Sequence, residues 1–440
     1  MDSIIIKGVS QPLRGIVRIS GSKNAALPEL FSTILSDDKI VLKNVPSLLA
    51  DIKTAVSLLE IVGKKVTHRT TTTPAAGDSF FEIETRMEPS FEIPYDLVRR
   101  MRASILLAGP MLSRYGRVRI ALPGGCAIGV RPIDIHLEGF KSLGARVKLT
   151  KGYVDIKSDG RLKGGRIKMR FPSVGAMENL VLAATLADGK TIIENAAQEP
   201  EIGDLCRLLV SMGARISGID SSLIEINGVR RLKSVNRVVE HGVISDRIEA
   251  ATYMAAAAIT RGEVVIENVT NPGHLKCFMG KLKQAGATIR IDRQKGEVFV
   301  SARKRILKPV NIRTSVYPGF PTDLQAQWMA LMTQAKGASK ITETIFENRF
   351  LHVAELKRLG ADLEIRGNTV CVKGPSALEG APVMVSDLRA GAALVLAALA
   401  ARGTTEILRV YHLDRGYENL VGKLSTLGAK ISRVPSKSKV

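Results

Sequence analysis

NLVLAATLADGKTIIENAA, residues 179–197, is the stretch on which the fold turns. It reads as an apolar helix, a turn at Gly189 and a strand. The same pattern returns as ATYMAAAAITRGEVVIENVT (Ala251–Thr270) and AALVLAALAARGTTEILRVY (Ala392–Tyr411). Turns at Ser36-Asp37, Gly116, Gly189, Gly262, Gly337 and Gly403 mark six copies. Half a repeat away lies a second signature, an amphipathic run ending in x-Gly-x-x-[Val/Ile/Leu]. Its copies are VGKKV (Val62–Val66), LGARV (Leu143–Val147), MGARI (Met212–Ile216), AGATI (Ala285–Ile289), LGADL (Leu359–Leu363) and LGAKI (Leu427–Ile431). Their glycines, Gly63, Gly144, Gly213, Gly286, Gly360 and Gly428, are spaced 81, 69, 73, 74 and 68 residues apart. Each fits the position just past a helix end, where positive φ is needed. Each is followed by an alternating run that reads as a strand.

Each unit is therefore helix–strand–helix–strand, with a further strand in most copies. Self-similarity at this period marks a fold built from repeats. Six such units predict an α/β (α+β) protein of two similar domains, three units in each. The Ala-rich helices are apolar most of the way round, so they are expected to be buried inside each domain.

The residues before the buried helices read SGSKNAALPEL (Ser20–Leu30), DLVRRMRASILL (Asp96–Leu107), FPSVGAMENL (Phe171–Leu180), ISDRIEAAT (Ile244–Thr252), FPTDLQAQW (Phe320–Trp328) and VSDLRAGAAL (Val385–Leu394). Their Ser, Asp and Asn residues suit helix caps. Lys23, Arg102, Arg247 and Arg389 are harder to explain, because a cation at a helix N-terminus opposes the helix dipole. Their recurrence predicts that the helix starts bind an anion together with backbone N–H groups. Two facing domains would bring six such starts around one cleft.

Bulk properties agree with a globular chain. It has 440 residues and 45% hydrophobic content, enough for two or three domains. Met1 leads almost directly into Ile4-Ile5-Ile6, without the n-region and h-region of a secretory signal. The longest apolar stretches, such as Ala392–Ala401, fall short of the roughly 20 residues that span a bilayer. Four cysteines at irregular spacing make neither a disulfide framework nor a zinc pattern, so a reducing cytoplasmic compartment is expected. Cys206 and Cys277 lie in helix-like patterns and Cys371 in a strand-like one. The net charge of +22 comes from basic residues spread along the chain, and aromatics are only 4%, too few for a base-stacking platform. The excess is read as a basic surface plus an anion site, not as a nucleic-acid interface.

One stretch carries reactive chemistry. LPGGCAIGVRP (Leu122–Pro132) sets Cys126 among Gly124, Gly125 and Gly129 and beside Arg131. A thiol in a glycine-rich loop next to a cation is placed to react rather than to pack.

With that loop, SGSKNAALP, SVGA (Ser173–Ala176), AAQEPEI (Ala196–Ile202), FPTDLQAQ (Phe320–Gln327), ETIFENRFLH (Glu343–His352), SDLRAGAALVLA (Ser386–Ala397) and YHLDRGYE (Tyr411–Glu418) run in order along nearly the whole chain. Together they resemble the UDP-N-acetylglucosamine 1-carboxyvinyltransferases, enolpyruvyl transferases of bacterial peptidoglycan precursor synthesis. The resemblance implies an inside-out α/β barrel fold whose first domain spans 22–239. The second joins 1–21 to 240–440, with the active site in the cleft between them. The implied reaction moves the enolpyruvyl group of phosphoenolpyruvate to the 3′-hydroxyl of UDP-N-acetylglucosamine through a tetrahedral ketal, releasing phosphate. It needs no metal or redox cofactor.

By the same resemblance Cys126 is the acid toward C3 of phosphoenolpyruvate and the target of fosfomycin. Asp323 is the carboxylate that deprotonates the sugar hydroxyl. Lys23 is catalytic, and with Asn24, Arg131, Arg389 and Arg415 it surrounds phosphoenolpyruvate. The UDP-sugar falls to Asn24, Arg102, Arg131, Pro132, Ile133, Asp134, Ile135, Phe171, Pro172, Ser173, Val174, Gly175, Asp323 and Ile345. Ser173, Val174 and Gly175 would offer backbone N–H groups to the diphosphate. Asp246 matches a position tied to closure and orientation, and His136 and His412 are read as structural. Ser22, Met177, Ser245 and Ala250-Ala251 depart from the usual residues beside these segments. The sister transferase acting on shikimate 3-phosphate shares the fold but lacks the cysteine loop. A non-catalytic binding module would be expected to lose at least one of Lys23, Cys126, Arg131, Asp323, Arg389 and Arg415. The RNA 3′-phosphate cyclases use a covalent histidine that has no matching motif here.

Overall fold

A computed structural model of the chain describes residues 2–8, 11–70, 79–122, 133–235, 237–303 and 305–435. Chain contacts divide it into two compact units. A central unit holds Gly21–Gly125 and Arg131–Ile244, and a terminal unit holds Met1–Ser20 with Ser245–Val440. Each contains three four-stranded sheets among the described residues.

All six sheets share one connectivity. In the sheet built from Arg166–Lys168, Lys190–Glu194, Arg215–Ser217 and Leu223–Asn227, the first two strands pair in parallel. The fourth strand then inserts antiparallel between the second and third. A parallel pair needs a crossover, and the buried helix Val174–Ala184 supplies it. The strand pairing thus repeats the sequence period. Three strands, however, are drawn from far along the chain. Val238–Gly242 lies parallel to Lys39–Lys43 and completes the first sheet of the central unit. In the terminal unit, Arg14–Arg18 lies parallel to Glu263–Glu267, and Ser3–Lys7 pairs with both Thr404–Leu408 and Lys430–Val434.

The predicted helix ends are present. Gly63, Gly144, Gly213, Gly286, Gly360 and Gly428 have φ between 86° and 106°. A side chain in that left-handed region costs roughly 1–2 kcal/mol, which is why glycine recurs there.

The Ala-rich helices are buried as expected. Arg247–Ile259 is buried from Ile248 to Ile259, and Leu388–Ala400 from Arg389 to Leu399. In the terminal unit they pack with Gln325–Met332, whose Trp328 ring meets Phe278 and Phe320 edge-on at centroid distances of 5.6 Å. DLVRRMRASILL does not form one helix. A single turn, Tyr95–Val98, is followed by a 3₁₀ segment, Arg102–Leu107, and then the helix Ala108–Tyr115. Pro110 lies in the first turn of that last helix, where its missing N–H is tolerated.

Buried polar groups hold the swapped N-terminal segment in place. The Ser20 N–H donates to Glu249 Oε2 at 2.8 Å, and Lys423 Nζ donates to Glu249 Oε1 at 2.7 Å. Ser245 puts its hydroxyl 3.2 Å from that of Thr270. Cys206 and Cys277 lie in helices and Cys371 in a strand, and burial pushes the Cys206 thiol up to about 12, which suits packing rather than reaction. No helix among the described residues is long and apolar enough to cross a membrane.

Candidate functional site

In the terminal unit two of the proposed residues, Asp323 and Arg389, meet a third, Arg349. Asp323 stands in the 3₁₀ turn Thr322–Leu324 that opens the buried helix Gln325–Met332. Its Oδ2 accepts from Arg389 Nη2 at 2.9 Å and Nε at 3.2 Å, and its Oδ1 accepts from Arg349 Nη2 at 2.8 Å. Both guanidinium side chains are 5% exposed, whereas that of Asp323 is 29% exposed. Burial pushes the Asp323 carboxyl up, but the charges and hydrogen bonds of Arg389 and Arg349 outweigh it and hold the group far below the usual carboxylate range. Arg389 Nη1 and Arg349 Nε are buried and find no hydrogen-bond partner. Such unmade charged donors are costly to bury.

The surroundings fix this fork. Arg349 Nη1 donates to Thr322 Oγ1 at 2.8 Å, and Thr322 Oγ1 donates to Glu343 Oε2 at 2.9 Å. Glu343 Oε1 accepts from Thr314 Oγ1 at 2.9 Å and from the Ile345 N–H at 2.8 Å. Ile345 is thereby tied to the same network as Asp323. Gln327 Nε2 donates to the Asp323 carbonyl at 3.0 Å and to the Tyr417 hydroxyl at 3.1 Å, and the Tyr417 ring lies 5.7 Å from the Arg389 guanidinium. Arg415 closes the 3₁₀ turn Val410–Arg415, two residues before Tyr417.

Arg349 was not assigned a role from the sequence. It stands in ENRF, within a quoted motif, but a lone arginine usually reads as a surface charge. The fork to Asp323 joins residues 26 apart in the chain and could not be read from spacing.

Two features of this unit limit other candidates. Asp246 caps the helix Arg247–Ile259, accepting from the N–H groups of Ile248 and Glu249 at 2.8 and 2.9 Å. Asp387 caps Leu388–Ala400 in the same way. His352 is buried, and burial with the charge of Arg349 holds it down at about 4, so it is neutral near pH 7.

In the central unit, Lys23 is the first residue of the helix Lys23–Ser32, and its Nζ lies 3.1 Å from Asp51 Oδ2. Asn24 follows it, half-buried. Phe171 to Gly175 lead into the helix Val174–Ala184, and the side chain of its N-cap, Ser173, makes no capping hydrogen bond. Ile133 to Ile135 lie beside them. Asp134 pairs with Arg170, its Oδ1 accepts from the Ile135 N–H at 2.9 Å, and His136 approaches Gly175. His136 is structural, with its Nδ1 2.9 Å from Asn179 Nδ2. Asn179 also bonds Ile105 and Gly109 of the segment that begins at Arg102. Cys126, Arg131 and Pro132 lie outside the described residues.

Comparisons with known proteins follow this geometry. Residues 8–424 match the family described as EPSP synthase (3-phosphoshikimate 1-carboxyvinyltransferase). A UDP-N-acetylglucosamine 1-carboxyvinyltransferase of Endomicrobium trichonymphae is 52% identical over 98% of this chain and 99% of its own. One from Geobacter metallireducens is 51% identical over 99% of this chain and 100% of its own. Among solved structures, the enolpyruvyl transferase NikO from Streptomyces tendae superposes with a TM-score of 0.87 at 25% identity, covering 99% of both chains. An EPSP synthase from Acinetobacter baumannii shares the fold at a TM-score of 0.73 and 18% identity, covering 99% of this chain and 100% of its own. The family match over residues 8–424 and identity of about half along nearly the full length place the chain in the enolpyruvyl transferase family, among the UDP-N-acetylglucosamine 1-carboxyvinyltransferases.

Proposed function

We propose that the chain transfers the enolpyruvyl group of phosphoenolpyruvate to the 3′-hydroxyl of UDP-N-acetylglucosamine, supplying peptidoglycan precursor synthesis in the cytoplasm. The observation that carries this reading is 52% identity over 98% of the chain to a relative bearing that name. Addition places the sugar oxygen on C2 of phosphoenolpyruvate and a proton on C3. Elimination then removes a C3 proton and expels phosphate.

In this reading Cys126 donates to C3, and Lys23, Asn24, Arg131, Arg389 and Arg415 bind phosphoenolpyruvate, with Arg349 added from the geometry. Asn24, Arg102, Arg131 to Ile135, Phe171 to Gly175, Asp323 and Ile345 hold the UDP-sugar. Asp323 takes the hydroxyl proton. Clamped by two guanidinium groups it is a ready acceptor but a weak base. A substrate carboxylate that draws Arg349 and Arg389 onto itself relieves that clamp and raises the basicity of Asp323 when a proton must move.

Phosphate release from phosphoenolpyruvate tests the reading, with and without UDP-N-acetylglucosamine, in the wild type and in Cys126→Ala. Release that requires the UDP-sugar and collapses in the variant is expected, as is inactivation by stoichiometric fosfomycin. Release that follows shikimate 3-phosphate instead would overturn it.

A further inference from the structure

Away from these residues, the central unit buries a trio that the reaction does not use. Glu29 belongs to the helix Lys23–Ser32, Asp204 to the helix Pro200–Ser211, and His241 to the strand Val238–Gly242. Each offers one ligand atom, and the three atoms lie within 4.8 Å of one another. His241 Nε2 is 3.2 Å from Asp204 Oδ1 and 3.7 Å from Glu29 Oε1.

The three groups form a buried, charge-paired cluster that keeps hydrogen-bonding capacity to spare. Glu29 is 0% exposed, and neither of its oxygens has a hydrogen-bond partner. His241 Nε2 is likewise without one, although Asp204 Oδ1 is within reach. Three donor atoms gathered this closely, two of them unpartnered carboxylate and imidazole atoms, also suit a metal ion. A tetrahedral ion with bonds of about 2.0–2.1 Å needs donor–donor edges of about 3.4 Å, close to the two distances seen here. The supporting contacts agree. Asp204 Oδ2 accepts from the Ile244 N–H at 2.9 Å, which turns Oδ1 toward the trio.

We propose that Glu29, Asp204 and His241 form a binding site for a divalent transition ion such as zinc. One nitrogen and two carboxylate donors suit such an ion, with water as a fourth ligand. The ion would fasten the helix that starts at Lys23 to the strand Val238–Gly242 and to Pro200–Ser211. Its role is structural and lies apart from enolpyruvyl transfer.

The test uses the whole chain after dialysis against a chelator. Titration with zinc chloride, followed by calorimetry, is expected to show one saturable equivalent. Glu29→Gln and His241→Gln are each expected to weaken it at least tenfold while native circular dichroism is kept. Cobalt(II) is expected to give d–d absorption without a thiolate charge-transfer band, which separates this site from the cysteines. Absence of saturable zinc binding to the wild type overturns the proposal. So does a thiolate band, or an unchanged affinity in both folded variants.

Discussion

The two units share a connectivity but begin their buried helices in opposite ways. In the terminal unit Asp246 and Asp387 cap their helices with their own carboxylates, and Asp323 occupies the fork of Arg349 and Arg389. In the central unit the helices that start at Lys23 and Val174 have no side-chain cap. One unit thus presents guanidinium groups held by internal anions, and the other presents backbone N–H groups left by its own side chains. The difference matches two ligand chemistries. A compact carboxylate or phosphate favours a bidentate arginine, while an extended diphosphate suits the N-terminus of a helix.

The largest expected effect comes from the arginine fork. Asp323→Asn is expected to cut turnover by about 10²–10⁴-fold and, by uncovering two buried cations, to destabilise the fold by roughly 3–5 kcal/mol. Steady-state phosphate release and urea unfolding measure the two effects. Retained turnover would reduce Asp323 to a scaffold for the arginines. Its stabilisation also has a pH signature. The folded carboxyl titrates below its unfolded value of about 3.9, so the contribution is complete at neutral pH and drains away as acid falls below about pH 4.

Next comes Arg349→Met, expected to lower kcat/KM for phosphoenolpyruvate by about 10²–10³-fold while calorimetry finds UDP-sugar binding unchanged. A loss shared by both ligands would dissolve the proposed division between units. Cap removal is smaller. Asp387→Ala is expected to cost about 1 kcal/mol, read as a shift in the denaturation midpoint. Smallest is Ser173→Ala, expected to stay within about 0.5 kcal/mol because no cap bond is lost. Its affinity for the UDP-sugar should hold if the backbone does the binding, and a tenfold drop would assign that work to the hydroxyl.

These contrasts show which parts of the molecule could be read in advance. The glycines after each outer helix and the apolar helices recur locally, and local signals survive in a linear chain. The division of the region around DLVRRMRASILL into the turn Tyr95–Val98, the 3₁₀ segment Arg102–Leu107 and the helix Ala108–Tyr115 leaves no such local mark. The exchanged strands were harder still. Nothing in RGIVR (Arg14–Arg18) itself tells it from a strand that pairs with its neighbours in sequence; only the family resemblance, which joins 1–21 to 240–440, pointed to a distant partner, and that partner is Glu263–Glu267. In the candidate site, Asp323 and Arg389 stood in motifs, while their clamping by Arg349 depends on folded geometry. The Glu29 trio left no trace, because its members come from three elements far apart in sequence.

The exchanged strands also bear on how the chain is made. Ser3–Lys7 is synthesised more than 400 residues ahead of one of its partners, Lys430–Val434. At roughly 5–20 residues per second, an early hydrophobic strand waits tens of seconds with both edges open. Residues 21–244 have all the strands of their own sheets much sooner. The nascent protein therefore carries a finished half beside an unfinished one, and a ribosome that stalls before residue 430 leaves Ser3–Lys7 without that neighbour, an edge available for aggregation.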